Sequence, residues 1–284
     1  MQYVYISVAG ILLLLALFAI AIHVGYRAPR LREGRDPSAR GLVFDEAYIT
    51  GPRGKRLYTW SIPLSDDAPT VIMVHGWGGN MELMLPLAMP FHKAGMNVFL
   101  LDARNHGKSD ADSYSAMPRF AEDAACAIEW VKKHRKGKIV LLGHSVGAGA
   151  VLLEGSRRSD IAAIISIAAF AHPEWVMRRQ LERLGLPRII VRAVLRYIEW
   201  TIGYRFDDIA PMNTACHATC PVLLVHGTND TTVPLSDAHA IASNCSKRGL
   251  QLLEIPGAEH DSSDRIDKHA PELIAFLQRA GITS

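Results

Sequence analysis

From Thr70 onward, apolar runs of strand length alternate with stretches of helical spacing. The runs are Thr70–His75, Asn97–Asp102, Lys138–Gly143, Ile161–Ala168, Val222–His226 and Leu250–Ile255. Runs that are apolar at nearly every position, and not only at every second one, belong to strands covered on both faces. The pattern therefore predicts an α/β fold, a mostly parallel sheet with helices on both sides. In such sheets chemistry collects beyond the carboxyl ends of the strands. Two earlier strands, Val43–Thr50 and Lys55–Pro63, meet at Gly51-Pro52-Arg53-Gly54, which is hairpin chemistry. Between about 169 and 219 the rhythm breaks. Two helical stretches, Pro173–Leu184 and Pro187–Ile202, stand there without a strand and are expected to form an inserted lid. With no internal repeat and no low-complexity tract, residues 41–284 are expected to be one domain with that excursion.

A second constraint lies before the domain. No residue from Val4 to Val24 is charged, and Val8–Ile22 is continuously apolar. At about 1.5 Å per residue such a helix roughly matches a bilayer core of about 30 Å, so residues 1–26 are expected to be a transmembrane anchor. The competing reading is a cleaved signal peptide ending near Ala19-Ile20-Ala21, but Met1-Gln2-Tyr3 lacks the positive start such a peptide wants. Tyr3, Tyr5 and Tyr26 bracket the span as an aromatic belt would.

Residues 27–40 read as a basic linker that can also touch anionic headgroups. Their five arginines (Arg27, Arg30, Arg32, Arg35 and Arg40) against Glu33 and Asp36 account for the whole net charge of +3. Basic residues after the span place the body on the cytoplasmic side of a single-pass membrane protein. The body itself is neutral, which argues against a nucleic-acid partner. Four scattered cysteines do not make a disulfide framework, and no Cys/His cluster completes a zinc set around Cys216 and Cys220; reduced thiols are expected, with no metal.

The chemistry is carried by Gly143-His144-Ser145-Val146-Gly147, which lies between a strand and a helix. A serine at such a turn is forced into a sharp corner that presents its hydroxyl at the rim of the sheet. Serine is a poor nucleophile at neutral pH and needs a base, and histidine fits. His260 follows the last strand and so reaches the same rim. An imidazole in turn needs a carboxylate, and Asp230, just after Val222–Val225, fits that post ahead of Asp237 and Asp208. Two backbone amides would hold an oxyanion: that of Val146, after the serine, and that of Trp77 in His75-Gly76-Trp77-Gly78-Gly79-Asn80. No G-K-[ST] follows those glycines, which speaks against a phosphate cradle.

With Ser, Asp and His in that order on that strand pattern, residues 41–284 resemble the α/β-hydrolase superfamily. Leu101-Asp102-Ala103-Arg104-Asn105-His106-Gly107-Lys108-Ser109 is similar to the family's D-x-R-x-H-G-x-S loop, and Pro221–Gly227 followed by Asp230 is similar to its acid-bearing strand. The resemblance implies Ser145 as nucleophile, His260 as base, Asp230 as acid, a helical cap where the lid interval falls, and Asp102 and Arg104 as scaffold. It is strongest to small membrane-anchored bacterial hydrolases grouped with serine esterases and S33-type aminopeptidases. One departure is that His75-Gly76-Trp77-Gly78 stands where many lipases have H-G-G-G, so an indole is expected to line the acyl pocket.

The expected activity is hydrolysis of a small-molecule carboxylic ester or thioester, lipid esters included, with no cofactor. Amide cleavage by an aminopeptidase is the alternative within the same chemistry, and a membrane-tethered binding protein without turnover is the alternative outside it. An epoxide or haloalkane hydrolase would want Asp at position 145. The lid's arginines, Arg178, Arg179, Arg183, Arg188, Arg192, Arg196 and Arg205, are expected to face water beside Glu174, Glu182 and Glu199; an anionic membrane surface is the competing reading.

Overall fold

The computed structural model describes residues 10, 13, 16–24, 27–32, 34–245, 249–261 and 267–283. Eight strands form one sheet: β1 Asp45–Thr50, β2 Arg56–Ile62, β3 Thr70–Val74, β4 Asn97–Leu101, β5 Ile139–His144, β6 Ala163–Ile167, β7 Val222–Gly227 and β8 Leu250–Ile255. Their spatial order is β1-β2-β4-β3-β5-β6-β7-β8. Only β2 runs antiparallel to its neighbours β1 and β4; from β4 to β8 every pairing is parallel. The mostly parallel sheet was therefore legible, each predicted strand lying within a residue or two of an observed one. The hairpin forms through a short 3-10 turn at Pro52–Gly54, in which Arg53 and Gly54 are left-handed.

The helices flanking the sheet are α1 Leu85–Lys93, α2 Met117–His134, α3 Val146–Gly155, α8 Leu235–Asn244 and α9 Ala270–Arg279. Two-residue periodicity splits each strand between two cores. On β5, Ile139 and Leu141 join the cluster that includes Phe120 and Val151 of α2 and α3, while Val140 and Leu142 join that of Phe91 and Phe276 from α1 and α9. Covering both faces removes the strands from water, as their uniformly apolar sequences require.

Between β6 and β7 come α4 Pro173–Arg183, α5 Arg188–Ile202, α6 Phe206–Ile209 and α7 Pro211–His217. The last two are too short for periodicity to show and were not anticipated. This excursion has its own small core of Leu181, Val191, Val194, Leu195 and Phe206. Its arginines pair much as expected: Arg178 with Glu174, and both Arg196 and Arg205 with Glu199 at 2.9 and 3.2 Å. Arg179 instead crosses to the body, gripping both oxygens of the buried Asp237 at 3.1 and 2.9 Å.

Most of the expected transmembrane span, with Tyr3, Tyr5 and Tyr26, lies outside the described residues. Among the described residues, no helix is long and apolar enough to cross a membrane. Residues 16–24 are helical and lie against the excursion, Phe18 and Ile22 packing on its core. The segment after it clings to the body. Arg30 donates to the Ser109 carbonyl at 2.9 Å, and the Glu82 carboxylate accepts from the Gly34 amide at 2.7 Å and from Arg35 Nε at 2.9 Å.

Candidate active site

Ser145 sits at the carboxyl end of β5, where the chain turns straight into α3. Its φ of 53° is unusual for a residue with a side chain, and the strain, about 1–3 kcal/mol, is held by the surroundings. The flanking glycines are demanded by space. A Cβ at Gly143 would lie 2.2 Å from the Gly147 carbonyl oxygen, and one at Gly147 would lie 2.3 Å from that of Val74. The Ser145 amide meanwhile stays in the ladder to Ile167 at 2.9 Å.

The loop after β8 brings His260 to this corner. Its Nε2 lies 2.9 Å from Ser145 Oγ, and its Nδ1 donates to Asp230 Oδ2 at 2.7 Å. Asp230 stands in the turn after β7, its side chain sealed from solvent. The other carboxylate oxygen accepts from the amides of Thr232 and Val233 at 2.9 and 2.8 Å. Burial works to raise the Asp230 pKa, but the hydrogen bonds from His260 and the Val233 amide outweigh it, and the carboxyl titrates below its ordinary value. Neither rival acid reaches His260: Asp237 is held by Arg179 and the Ala171 amide, and Asp208 is exposed on α6.

Trp77 and Val146 both line the cavity beside Ser145. Val146 opens α3, where a helix leaves its first amides without intrahelical partners. The Trp77 loop is held from behind by two buried histidines that the sequence reading did not single out. His106 Nε2 accepts the Gly78 amide at 3.1 Å and donates from Nδ1 to the Arg104 carbonyl; His75 Nε2 accepts the Ala103 amide at 3.1 Å and donates from Nδ1 to the Gly76 carbonyl. Both must be neutral to accept at Nε2. Burial pushes His75 down to about 3, with His106 adding to the effect, and burial likewise pushes His106 down to about 4. The signal was there in principle, one histidine in each of the two loops that follow the neighbouring strands β3 and β4.

His144 was also passed over. It donates from Nε2 to the backbone carbonyl of His260 at 2.8 Å, tying the β5 turn to the loop it serves. Asp102 and Arg104 hold loops together. Asp102 accepts the amides of Met81 and Lys108, and Arg104 reaches Asp123 and Glu122, each at 2.6 Å. His144, His260 and Asp261 bring possible metal-ligating atoms within 4.8 Å of one another, yet both His260 nitrogens and His144 Nε2 are already engaged in hydrogen bonds. No disulfide joins the four cysteines.

A cavity of about 820 Å³ opens over Ser145. It runs beneath α4 and α5 past Met177, Leu181, Val194 and Ile198, and its walls are overwhelmingly apolar. The Trp77 indole lines it, as expected from the departure at that loop.

The family model described as "Serine aminopeptidase, S33" matches residues 66–206. The uncharacterized protein YfhR of Escherichia coli (strain K12) is 30% identical over 277 residues, covering 92% of this chain and 88% of that protein. A monoacylglycerol lipase of Mycolicibacterium smegmatis is 25% identical over 252 residues, 76% of this chain and 90% of the lipase. Among solved structures, the Pyrococcus furiosus esterase Pf2001 superposes with a TM-score of 0.73 at 22% identity, covering 89% of this chain and 97% of its own. From sheet order, motif and these likenesses together, the chain belongs to the S33 family of the α/β-hydrolase superfamily.

Proposed function

We propose that the chain is a membrane-anchored serine hydrolase that cleaves carboxylic esters, lipid esters or thioesters included. The observation that carries the reading is one imidazole bridging a serine oxygen at 2.9 Å and a sealed carboxylate at 2.7 Å. Ser145 attacks the substrate carbonyl while His260 takes its proton, and Asp230 fixes the tautomer and stabilises the imidazolium. The amides of Val146 and Trp77 hold the oxyanion, a contribution of about 3–4 kcal/mol per donor in comparable sites. His260 then returns the proton to the leaving alcohol, and water hydrolyses the acyl-Ser145 intermediate by the same steps. Helices α4 and α5 act as a cap that keeps water from the acyl chain.

Residues 1–26 serve as the anchor and residues 27–40 as the basic connection, with the domain on the cytoplasmic side; the apolar run and the arginines after it support this. Aminopeptidase chemistry is the second reading, favoured by the family description. It needs a carboxylate to hold a free amino terminus, and among the described residues that line the cavity Asp261 alone offers one.

A fluorophosphonate probe tests the central claim. Labelling of the native chain but not of Ser145→Ala is expected; labelling of neither favours a binding protein. Side-by-side turnover of p-nitrophenyl esters and amino-acid p-nitroanilides then separates ester from amide cleavage, with the esters expected to lead.

A further inference from the structure

The cavity over Ser145 does not end at the cap. Phe18, Ala21, Ile22 and His23 line it too, so one wall belongs to the helix at residues 16–24, more than a hundred positions from the nucleophile. Phe18 and Ile22 stand one turn apart on the face that packs against the cap core. The Tyr197 ring takes Phe18 and His23 edge-on at 6.2 and 6.0 Å. The chain that follows is tied to the oxyanion loop and its neighbour: Asn80 donates to the Leu31 carbonyl at 3.4 Å, and Gly34 and Arg35 reach Glu82. The helix is thus fixed at two places, by the cap on one side and by this strap at its end. Its opposite face carries Leu17, Ile20 and Val24, each more than half exposed.

We propose that residues 16–24 form the far wall of the acyl site, so that the segment expected to hold the protein to the bilayer also seats the substrate's chain. The inference rests on the hydrolase reading and deepens it. A methylene is about as large as a water molecule, about 30 Å³, so a sixteen-carbon chain needs about 500 Å³, and the cavity of about 820 Å³ has room for it. The substrate is therefore an ester with a long acyl chain, its hydrocarbon between α4, α5 and the N-terminal helix and its carbonyl at Ser145.

The test uses the full chain in one detergent and an ester series from butyryl to hexadecanoyl. Each methylene that finds the apolar wall should raise kcat/KM about three- to fourfold, the equivalent of about 0.8 kcal/mol. Ala21→Trp puts an indole into the chamber without removing Phe18 or Ile22 from the cap core. The hexadecanoyl-to-butyryl ratio is expected to fall tenfold or more, as it would on losing two methylenes' worth of contact. Ala21→Leu should shift the ratio less, in the same direction, and stands in if the larger change prevents folding. Leu17→Trp, on the outer face, should leave the ratio as it is. A ratio unchanged by both Ala21 variants overturns the proposal.

Should the native protein cleave no ester at all, the hydrolase reading has failed, and the wall is judged by binding instead. Displacement of a fluorescent fatty acid by hexadecanoate from Ser145→Ala should weaken tenfold or more when Ala21→Trp is added. Equal affinity overturns the wall.

Discussion

At the rim of the sheet, His260 is held by three hydrogen bonds of 2.7–2.9 Å, to Asp230, from Ser145 and from His144. Across the cavity, Leu181, Val194 and Ile22 meet only through apolar contact. The two sides face each other over one space but are positioned by opposite means. Directional bonds from strand ends set the rim to within tenths of an ångström, which proton transfer requires. Non-directional packing sets the wall, and a hydrocarbon chain asks for nothing finer. The rim should therefore answer to the loss of single atoms, the wall only to changes of volume.

The largest effect expected is at the rim. Ser145→Ala and His260→Ala should each lower kcat by roughly three to six orders of magnitude at little cost in thermal stability, since neither side chain belongs to the apolar core. Steady-state turnover beside a melting curve checks this, and a loss of tenfold or less would place the chemistry elsewhere. Next comes Asp230→Asn. It keeps the shape and the amide contacts of Oδ1 but presents the wrong partner to His260 Nδ1, and a loss of roughly ten-thousandfold in kcat is expected. KM for the same ester should move far less, because Asp230 does not line the cavity.

The contrast also explains what the sequence made legible. Rim residues sit at fixed offsets from strand ends, so Ser145, Asp230 and His260 could be read from motif and chain order alone. His75, His106 and His144 were missed because their role is to accept or donate one bond to another loop, and no spacing within a single loop reveals which loop that is. The wall was legible only as helices. An apolar face says that it will be buried, not against what. Residues 1–26 accordingly read as an anchor throughout, whereas Phe18 and Ile22 turn inward to α4 and α5. The short helices α6 and α7 carry too few turns for a period.

Between rim and wall runs a polar tie, Arg179 of α4 on Asp237 at the start of α8, and it sharpens the comparison. The Asp237 side chain is 2% exposed and Arg179 28%. Arg179→Ala leaves that carboxylate with the Ala171 amide in place of its bidentate partner. Because the arginine is partly solvated, the expected loss is about 2 kcal/mol, below the 3–5 kcal/mol of a fully buried pair. Denaturant unfolding measures it. If the tie also holds the cap, the ratio of long-chain to short-chain ester turnover should fall in this variant, whereas butyrate turnover at saturating substrate should fall much less.

The effect that leaves activity at neutral pH untouched is a slope of stability with pH. His75 and His106 are neutral acceptors in the fold, pushed to about 3 and about 4, while in the unfolded chain a histidine titrates near ~6.5. Above that value both states are neutral and neither histidine contributes. As the pH falls below it, the unfolded chain takes up protons that the fold refuses, so stability should decline by about 1.4 kcal/mol per pH unit for each histidine. The decline for His106 should continue to about pH 4 and that for His75 to about pH 3. His144, whose pKa burial also lowers, adds in the same direction. Carboxylates held below their ordinary values, such as Asp230, lose their stabilisation only at lower pH. Asp123, which burial pushes up to about 7, and Glu154, which burial also raises, instead take up protons in the fold between pH 6 and 4.5 and offset part of the decline. The histidine contribution is thus read from a variant compared with the native chain over that interval. Urea midpoints across that interval should therefore fall in the native chain and fall less steeply in His106→Gln, whose amide can still accept from Gly78 but does not titrate. Equal slopes in the two proteins would mean that the loop behind Trp77 is held by something other than a neutral His106.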